Sequence, residues 1–299
     1  MPEPGLKIKI LLRIKVPKFG FKDKIKNRMR NLKNAIYTGS RNRQSLVDLT
    51  IPADFNGQLI VFIHGYMGFK DWGAWNLMEQ FFTARGYGFC KFNISHNGGT
   101  VENGIDFPDL NAFAENNYSM EIADTLHVLD WLENELDTLP EICLAGHSRG
   151  GGTALLAASD SRVSKVITLS SICSVEQRFS DAEMISDWQE KGVRYGKNQR
   201  THQEMPHNIS QYTDFLENRS TLDIEKACRE LHKPVMVIHG DEDTSVSITE
   251  SERIATWTNT ELHIIHGADH VYGASQPWLK DVLPEKLEEV CGYMLEFLQ

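Results

Sequence analysis

A pentapeptide of the form G-x-S-x-G, Gly146-His147-Ser148-Arg149-Gly150, lies between a buried strand pattern at 141–145 and a helix pattern at 153–159. In this context the serine sits on a tight turn at the carboxyl end of a central strand. The flanking glycines are required because a Cβ at either position would collide with neighbouring backbone. The motif therefore predicts a strand–turn–helix unit within a sheet, with Ser148 as the candidate nucleophile.

The chain from residue 44 onward alternates strand patterns with helix patterns. This alternation predicts a mostly parallel central sheet with helices on both faces. Residues 45–51 alternate with period two, which is typical of a half-buried antiparallel strand. Further strands are predicted at 59–63, 88–94, 141–145, 163–170, 235–239 and 261–265, and helices at 71–85, 118–136, 153–159 and 283–298.

Two segments interrupt this alternation, and long connections of this kind often border binding sites. Residues 96–117 form a polar loop, and residues 174–231 form a highly charged insertion of helical character that contains several aromatic side chains. We interpret the chain as one domain over 44–299 with an inserted helical cap at about 174–231. A basic N-terminal arm, residues 1–43, precedes it.

The charge of the chain is unevenly distributed. The net charge is −10, yet residues 1–34 contain 11 Lys and Arg against Glu3 and Asp23. The strongly acidic remainder argues against a nucleic-acid partner for the whole protein. Two interpretations of the arm stay open: an edge strand with a solvated segment folded against the acidic body, or a weak contact with a membrane surface or another polyanion.

Cysteine use and hydropathy indicate the compartment. The five cysteines are odd in number and widely spaced, without a CxxC pair, which argues against a disulfide scaffold or a thiolate zinc site. Charged residues interrupt the apolar positions of 7–16 too often for a signal peptide, and no stretch approaches the length of a membrane span. We expect a cytoplasmic protein.

A serine nucleophile requires a base and an acid that orients the base. In chains with a G-x-S-x-G turn between a strand and a helix, the chain order is serine, acid, histidine. An acidic cluster, Asp241-Glu242-Asp243, follows the strand pattern at 235–239. We prefer Asp243 because the pattern HG-x-x-D places the acid after the turn. Asp241 and, less strongly, Glu242 stay open as alternatives.

The candidate base is His270. It lies in the loop Gly267-Ala268-Asp269-His270, which follows the last strand pattern at 261–265. His263 and His266 are close in sequence, but they belong to that strand or its end, where a histidine is more often packed or solvated. The sequence therefore predicts a Ser148–His270–Asp243 triad.

An oxyanion hole must offer backbone N–H groups to the developing negative charge. We expect one from Arg149, which follows the nucleophile. The second is expected from Tyr66, because the strand pattern at 59–63 ends in His64-Gly65 and Gly65 allows a close backbone approach.

Metal and cofactor motifs receive no support. The spacing of His263, His266, Asp269 and His270 fits no common zinc motif. The phosphate-binding patterns G-x-x-x-x-G-K-[ST] and G-x-G-x-x-G do not occur. We predict neither a metal nor a cofactor.

The motif-bearing segments together resemble the α/β-hydrolase superfamily over residues 44–299. They are His64-Gly65-Tyr66, Gly146-His147-Ser148-Arg149-Gly150-Gly151, His239-Gly240-Asp241-Glu242-Asp243 and Gly267-Ala268-Asp269-His270. Within the superfamily the chain is most similar to the dienelactone-hydrolase-like and feruloyl or cinnamoyl esterase branch, also described as serine aminopeptidase-like. The pattern departs from many members at Val246-Ser247, where they have Val-Pro.

The resemblance implies an α/β-hydrolase fold and a serine hydrolase that cleaves a small or medium carboxylic ester through an acyl-enzyme. Two alternatives stay open: a peptidase, amidase or thioesterase with the same triad, and a non-catalytic relative that binds a ligand. The sequence does not indicate the oligomeric state.

Overall fold

The computed structural model describes residues 29–299. The described chain is built around an eight-stranded sheet, and a separate two-stranded hairpin lies in the insertion. The strands are β1 (Arg30–Thr38), β2 (Gln44–Ile51), β3 (Gln58–Ile63), β4 (Gly88–Phe92), β5 (Glu141–His147), β6 (Val163–Leu169), β7 (Val193–Lys197), β8 (Glu204–Asn208), β9 (Val235–Gly240) and β10 (Leu262–Ile265).

The strand order of the main sheet is β1-β2-β4-β3-β5-β6-β9-β10. The first two strands pair antiparallel with each other, and β2 also pairs antiparallel with β4. Every pair from β4 to β10 is parallel, so the carboxyl ends of β3, β5, β9 and β10 lie at one edge of the sheet. The mostly parallel sheet predicted from the sequence is confirmed.

Helices cover both faces of this sheet. They are α1 (Trp75–Thr83), α2 (Leu110–Glu115), α3 (Tyr118–Glu135), α4 (Arg149–Ala157), α5 (Ala182–Lys191), α6 (Ser210–Glu217), α7 (Ile224–Glu230), α8 (Ile248–Thr258) and α9 (Glu285–Leu298). Core residues of α3, α4 and α8 lie in one apolar cluster, and those of α1 and α9 lie in another.

The central strand β3 shows why the sheet has two cores. Its side chains alternate between the faces, so Leu59, Val61 and Ile63 join the α3 side while Ile60 and Phe62 join the α1 side. All five side chains are buried. A continuous apolar run therefore marks a strand that is covered on both faces.

Three features differ from the sequence pattern. Residues 30–38 form β1 within the main sheet, whereas the sequence pattern places them in the N-terminal arm. The insertion contains α5, α6 and α7 as expected, but also the antiparallel hairpin of β7 and β8. Helix α4 begins at Arg149, whereas the sequence pattern places its start at residue 153 because glycine has a low helix propensity. The glycines are accommodated in the first turn of α4 because neighbouring atoms approach them closely.

The segment 7–16, on which the interpretations of the arm depend, lies outside the described residues. Within 29–299, none of the helices has the length and apolarity that a membrane crossing requires. The five cysteines are buried free thiols.

Candidate active site

The predicted site residues lie on four loops that follow parallel strands of the main sheet. Tyr66 follows β3, Ser148 and Arg149 follow β5, Asp243 follows β9, and His270 follows β10. Because these strands are parallel, their carboxyl ends open onto one crevice, the usual ligand position in α/β sheets. The topology thus brings together residues that are far apart in sequence.

Ser148 sits on a strained turn between β5 and α4, with φ 56° and ψ −120°. Its N–H donates to the carbonyl of Leu169 on β6 over 2.8 Å. A Cβ on Gly146 would lie 2.1 Å from the Gly150 carbonyl oxygen, and one on Gly150 would lie 2.4 Å from the Ile63 carbonyl oxygen. The turn can therefore form only with glycine at both positions, as the motif predicts.

The Asp243 carboxylate is fully buried and its Oδ2 lies 2.7 Å from His270 Nδ1. The backbone N–H groups of Ser245 and Val246 donate to Asp243 Oδ1 over 2.7 and 2.9 Å. Burial raises the pKa of Asp243, but the hydrogen bonds from His239, His270 and Val246 outweigh it and bring the pKa well below its ordinary value. Asp243 is therefore a carboxylate that accepts a hydrogen bond from His270.

The alternative acid, Asp241, has a different partner. Its Oδ2 lies 2.8 Å from Nδ1 of His266, whose side chain is 85% exposed. Its Oδ1 accepts the Gly267 N–H. The structure therefore separates two Asp–His pairs, and only the pair of Asp243 and His270 includes a residue at the crevice.

His239, at the end of β9, contacts Asp243 although no sequence motif indicates this role. Its ring is fully buried, and Nε2 lies 3.2 Å from Asp243 Oδ2 and 3.0 Å from the Val246 carbonyl oxygen. Ser251 Oγ lies 2.7 Å from its Nδ1. With Ser251 donating to Nδ1, Nε2–H faces both the Val246 carbonyl oxygen and Asp243 Oδ2, so His239 contacts the same carboxylate oxygen as His270.

His64 orients the loop after β3. Its Nε2 accepts the Ile94 N–H over 3.1 Å, so its Nδ1–H is directed at the Gly65 carbonyl oxygen, 2.8 Å away. Burial lowers the pKa of His64 to about 4, so the ring is neutral near pH 7. In a planar trans peptide the N–H points opposite to the carbonyl, so this contact fixes the direction of the Tyr66 N–H.

The same loop lies against the nucleophile turn. A Cβ on Gly65 would lie 3.1 Å from Ser148 Cβ and 3.1 Å from the His147 carbonyl oxygen. The close approach predicted for Gly65 is therefore present. Tyr66 and Arg149 border the same cavity as Ser148.

The side chain of Arg149 anchors the start of α4. Its Nε donates to Glu121 Oε2 over 3.0 Å, and its guanidinium lies 3.8 Å from the Tyr118 ring centroid. Glu121 and Tyr118 both belong to α3 and are buried. This ion pair holds the nucleophile turn against the longest helix of the domain.

His147 supports the His270 loop. Its Nε2–H donates to the His270 carbonyl oxygen over 2.8 Å, and the two rings lie 4.7 Å apart between centroids. Burial, followed by the charge of His270, lowers the pKa of His147 to about 3. His147 is therefore a neutral donor that positions the backbone of the candidate base.

Two cavities border Ser148. The first, the arginine cavity, has a volume of about 520 Å³ and is bordered by Arg149, Arg178 and Arg194. The second, the tryptophan cavity, has a volume of about 410 Å³ and is bordered by Trp72 and Trp75. Both cavities share the following lining residues: Tyr66, Met67, Ser148, Ser245 and His270.

The cap contributes residues that no sequence motif indicated. His207, on β8, lies with Nε2 2.6 Å from the Tyr66 hydroxyl and borders the arginine cavity together with Arg194, on β7. Trp188 Nε1 donates to the His207 carbonyl oxygen over 2.8 Å and so fixes the hairpin to α5. The sequence does not indicate that His207 and Arg194 reach the cavity, because their positions depend on the hairpin of β7 and β8, which the sequence pattern does not predict.

Solved structures with this fold include both esterases and a peptidase. Est1E from Butyrivibrio proteoclasticus is 20% identical, with a TM-score of 0.60, and the match covers 89% of this chain and 99% of Est1E. The esterase domain from a Rhodothermus marinus protein is 18% identical, with a TM-score of 0.56 and coverages of 83% and 92%. Pyrococcus horikoshii acylaminoacyl peptidase is 17% identical, with a TM-score of 0.59 and coverages of 93% and 42%. These similarities establish the α/β-hydrolase fold.

A comparison with curated protein sequences finds no significant match. The model of the prolyl oligopeptidase family, in contrast, matches residues 74–285. The matched segment includes Ser148, Asp243 and His270, and it covers more than half of the chain. The protein therefore belongs to the prolyl oligopeptidase family and is a hydrolase of the α/β-hydrolase superfamily.

Proposed function

We propose that the protein is a serine hydrolase that cleaves a small or medium carboxylic ester through an acyl-enzyme. The observation that carries this proposal is the 2.7 Å contact of the buried Asp243 with His270, which lines the same cavity as Ser148. A serine on a strained turn, a histidine and an orienting carboxylate form the standard nucleophilic arrangement of hydrolases.

In the first half of the reaction Ser148 is acylated. The Nδ1–H of His270 is donated to Asp243, which leaves Nε2 as the basic nitrogen that accepts the Ser148 proton. Ser148 Oγ then bonds to the acyl carbon, and the Tyr66 and Arg149 N–H groups stabilise the oxyanion. The tetrahedral intermediate collapses, the bond to the alcohol oxygen breaks, and His270 gives its proton to that oxygen.

The second half releases the acid. His270 accepts a proton from water, and the resulting hydroxide oxygen bonds to the acyl carbon. The bond between that carbon and Ser148 Oγ then breaks, and His270 returns the proton to Ser148. The products are a carboxylic acid and an alcohol, and no step requires a cofactor.

The two cavities support an ester with a substituent on each side of the scissile bond. Each cavity contacts Ser148 and His270, so one can hold the acyl group while the other holds the alcohol. Their volumes of about 520 and 410 Å³ suit small to medium groups. One solved structure shows ferulic acid bound to Est1E, which recommends an aromatic ester among the test substrates.

The test combines active-site labelling with turnover. A fluorophosphonate probe should label the wild type but neither Ser148→Ala nor His270→Ala, and p-nitrophenyl esters of increasing acyl length should show a single optimum. Ser95→Ala is the matched control, because Ser95 Oγ lies 2.8 Å from a histidine ring but borders neither cavity. Absence of both labelling and turnover in folded wild type would favour a ligand-binding relative.

Amide or peptide hydrolysis is the second candidate, and the family match favours it. The triad does not select the leaving group. An N-acetylated amino acid presented as its p-nitrophenyl ester and as its p-nitroanilide separates the two activities. We expect a higher kcat/KM for the ester even after correction for the uncatalysed rates; the reverse order would make the protein a peptidase.

A further inference from the structure

The three arginines of the arginine cavity differ in their partners. Arg149 forms a buried ion pair with Glu121, and Arg178 contacts both carboxylate oxygens of Glu250. Within residues 29–299, Arg194 has no carboxylate partner. Two of the three guanidinium charges are therefore balanced by the protein, and one is not.

The Trp188 ring holds the guanidinium of Arg194 in position. Its guanidinium carbon lies 4.5 Å from the ring centroid of the fully buried Trp188, and its Nε is buried without a hydrogen-bond partner in the described chain. A guanidinium stacked on an aromatic face keeps its N–H groups available at the edge. The stacking thus holds Arg194 in place without neutralising it.

The charge of Arg194 acts on the cavity wall. Burial, followed by the positive charges of Arg194 and Arg149, lowers the pKa of His207 to about 4. His207 is therefore neutral near pH 7, and it contacts the Tyr66 hydroxyl at the wall of the same cavity. No Asp or Glu occurs among the described residues that border this cavity.

A partly buried cation without a counter-ion is costly unless a ligand supplies the negative charge. Arginine is also the side chain best suited to bind a carboxylate through paired hydrogen bonds. The tryptophan cavity gives the contrast, because its arginine, Arg200, is paired with Asp106 over 2.6 Å. The arginine without a carboxylate partner therefore belongs to the arginine cavity and not to the tryptophan cavity.

We propose that the substrate carries a carboxylate group on one side of the scissile ester and that Arg194 binds it. This inference rests on the proposed ester hydrolysis and adds the substrate class. Apolar side chains, Ile172, Phe179 and Met67, also border the arginine cavity. The carboxylate is therefore separated from the ester carbonyl by a short apolar spacer, as in a half-ester of a dicarboxylic acid.

Half-esters test the inference directly. Monomethyl glutarate, adipate, pimelate and suberate are each compared with the methyl ester in which a terminal methyl group replaces the carboxylate. Methanol release gives kcat/KM. For the best chain length we expect the half-ester to exceed its neutral match by about tenfold to a hundredfold, the range of a hydrogen-bonded charge pair.

Variants assign this preference to Arg194. Arg194→Gln should abolish the preference, measured as the ratio of kcat/KM for the half-ester to kcat/KM for the neutral ester, and Arg194→Lys should retain part of it. Lys197→Gln is the matched control, because it removes an exposed positive charge from the same strand. Equal turnover of both ester classes by the wild type, or an equal loss for both in Arg194→Gln, would overturn the inference but not ester hydrolysis.

A binding measurement keeps the inference separate from catalysis. In Ser148→Ala, free adipate or its best homologue should raise the melting temperature, and this shift should be absent in Ser148→Ala/Arg194→Gln. Such a shift without turnover in the wild type would overturn ester hydrolysis and retain the carboxylate site. Absence of both the shift and the preference would overturn the site.

Discussion

Two groups of charged side chains lie inside this protein, and they are built in opposite ways. The lysine cluster, formed by Lys33, Lys70, Lys91, Asp48, Asp71 and Glu79, lies between β1, β2, β4 and α1. It contains three cations and three anions in mutual contact. The arginine cavity presents three cations with only two carboxylates behind them.

The balance of charge shows what each group can do. Lys91 is fully buried, and its Nζ lies 2.9 Å from Asp48 and 3.3 Å from Glu79 and also contacts Asp71. Because Lys91 is surrounded by carboxylates, it links β4 to β2 and α1, and its charge is neutralised within the protein. The arginine cavity, in contrast, retains one guanidinium charge that no carboxylate of the described residues balances. Substitutions in the site should therefore change activity, and those in the lysine cluster should change stability.

The largest effect is expected in the site itself. Asp243→Asn should lower kcat for esters by about 10⁴-fold, because an amide cannot hold His270 in the required tautomer. Asp241→Asn is the matched control and should leave kcat within about twofold, since its partner His266 lies on the surface. The measurement is kcat for an ester substrate, compared between the wild type and both purified variants after their melting temperatures are shown to be unchanged. A loss in Asp241→Asn instead would assign the orienting acid to Asp241.

Next in size is the loss of the buried lysine. Lys91→Met should lower the free energy of unfolding by about 3–5 kcal/mol, because Asp48 and Asp71 are then left without their central partner. Lys33→Met removes a cation that is 46% exposed and should cost about 1 kcal/mol or less. Urea denaturation measures both. Ester kcat of folded Lys91→Met should stay unchanged, and a parallel loss of kcat would break the division between cluster and site.

A pH series tests the same cluster more gently. Burial raises the pKa of Asp48, but the charge of Lys91 and the hydrogen bonds from Asn34 and Lys70 lower it to about 2. A carboxylate with a lowered pKa stabilises the fold above its unfolded pKa of about 4, and this stabilisation is lost as the pH falls through about 2.

The stabilisation that Asp48 contributes through its lowered pKa is expected to be roughly 2 kcal/mol. It is measured as the difference in unfolding free energy between the wild type and Asp48→Asn. This difference should be largest above pH 5 and should shrink towards pH 2, whereas a difference that is constant with pH would exclude Asp48 as its titrating source.

The sequence predicted those parts of the fold and site that depend on local patterns. Apolar runs identified β3 and β5 because both faces of these strands are covered, and the Gly146 to Gly150 motif identified the tight turn at Ser148 because its glycines are sterically required. Asp243 and His270 follow from chain order and strand ends.

The remainder depends on tertiary contacts. Strand β1 carries no clear alternation, and it is recognisable only through its pairing with β2 and the ion pair of Lys33. Strand β8 contains Pro206, which argues against a strand unless the strand lies at an edge. Arg194 is one of several arginines in a charged segment of the sequence. Only the described fold shows that it borders the cavity and has no carboxylate partner there.

The smallest expected effect concerns the contact between the cap and the site. Tyr66→Phe removes the hydroxyl that lies 2.6 Å from His207 but retains the Tyr66 N–H. If that N–H is the oxyanion donor, kcat for the neutral ester should fall by less than about tenfold, the value of one ordinary hydrogen bond. A loss of about 10²–10³-fold would instead identify the hydroxyl as the donor.

Because Arg194 is held in place by stacking on Trp188 and not by the Tyr66 hydroxyl, Tyr66→Phe should also leave the preference for a half-ester largely intact. Loss of that preference would show that the hairpin is held in place through Tyr66, and that the carboxylate site and the oxyanion hole are coupled through this contact.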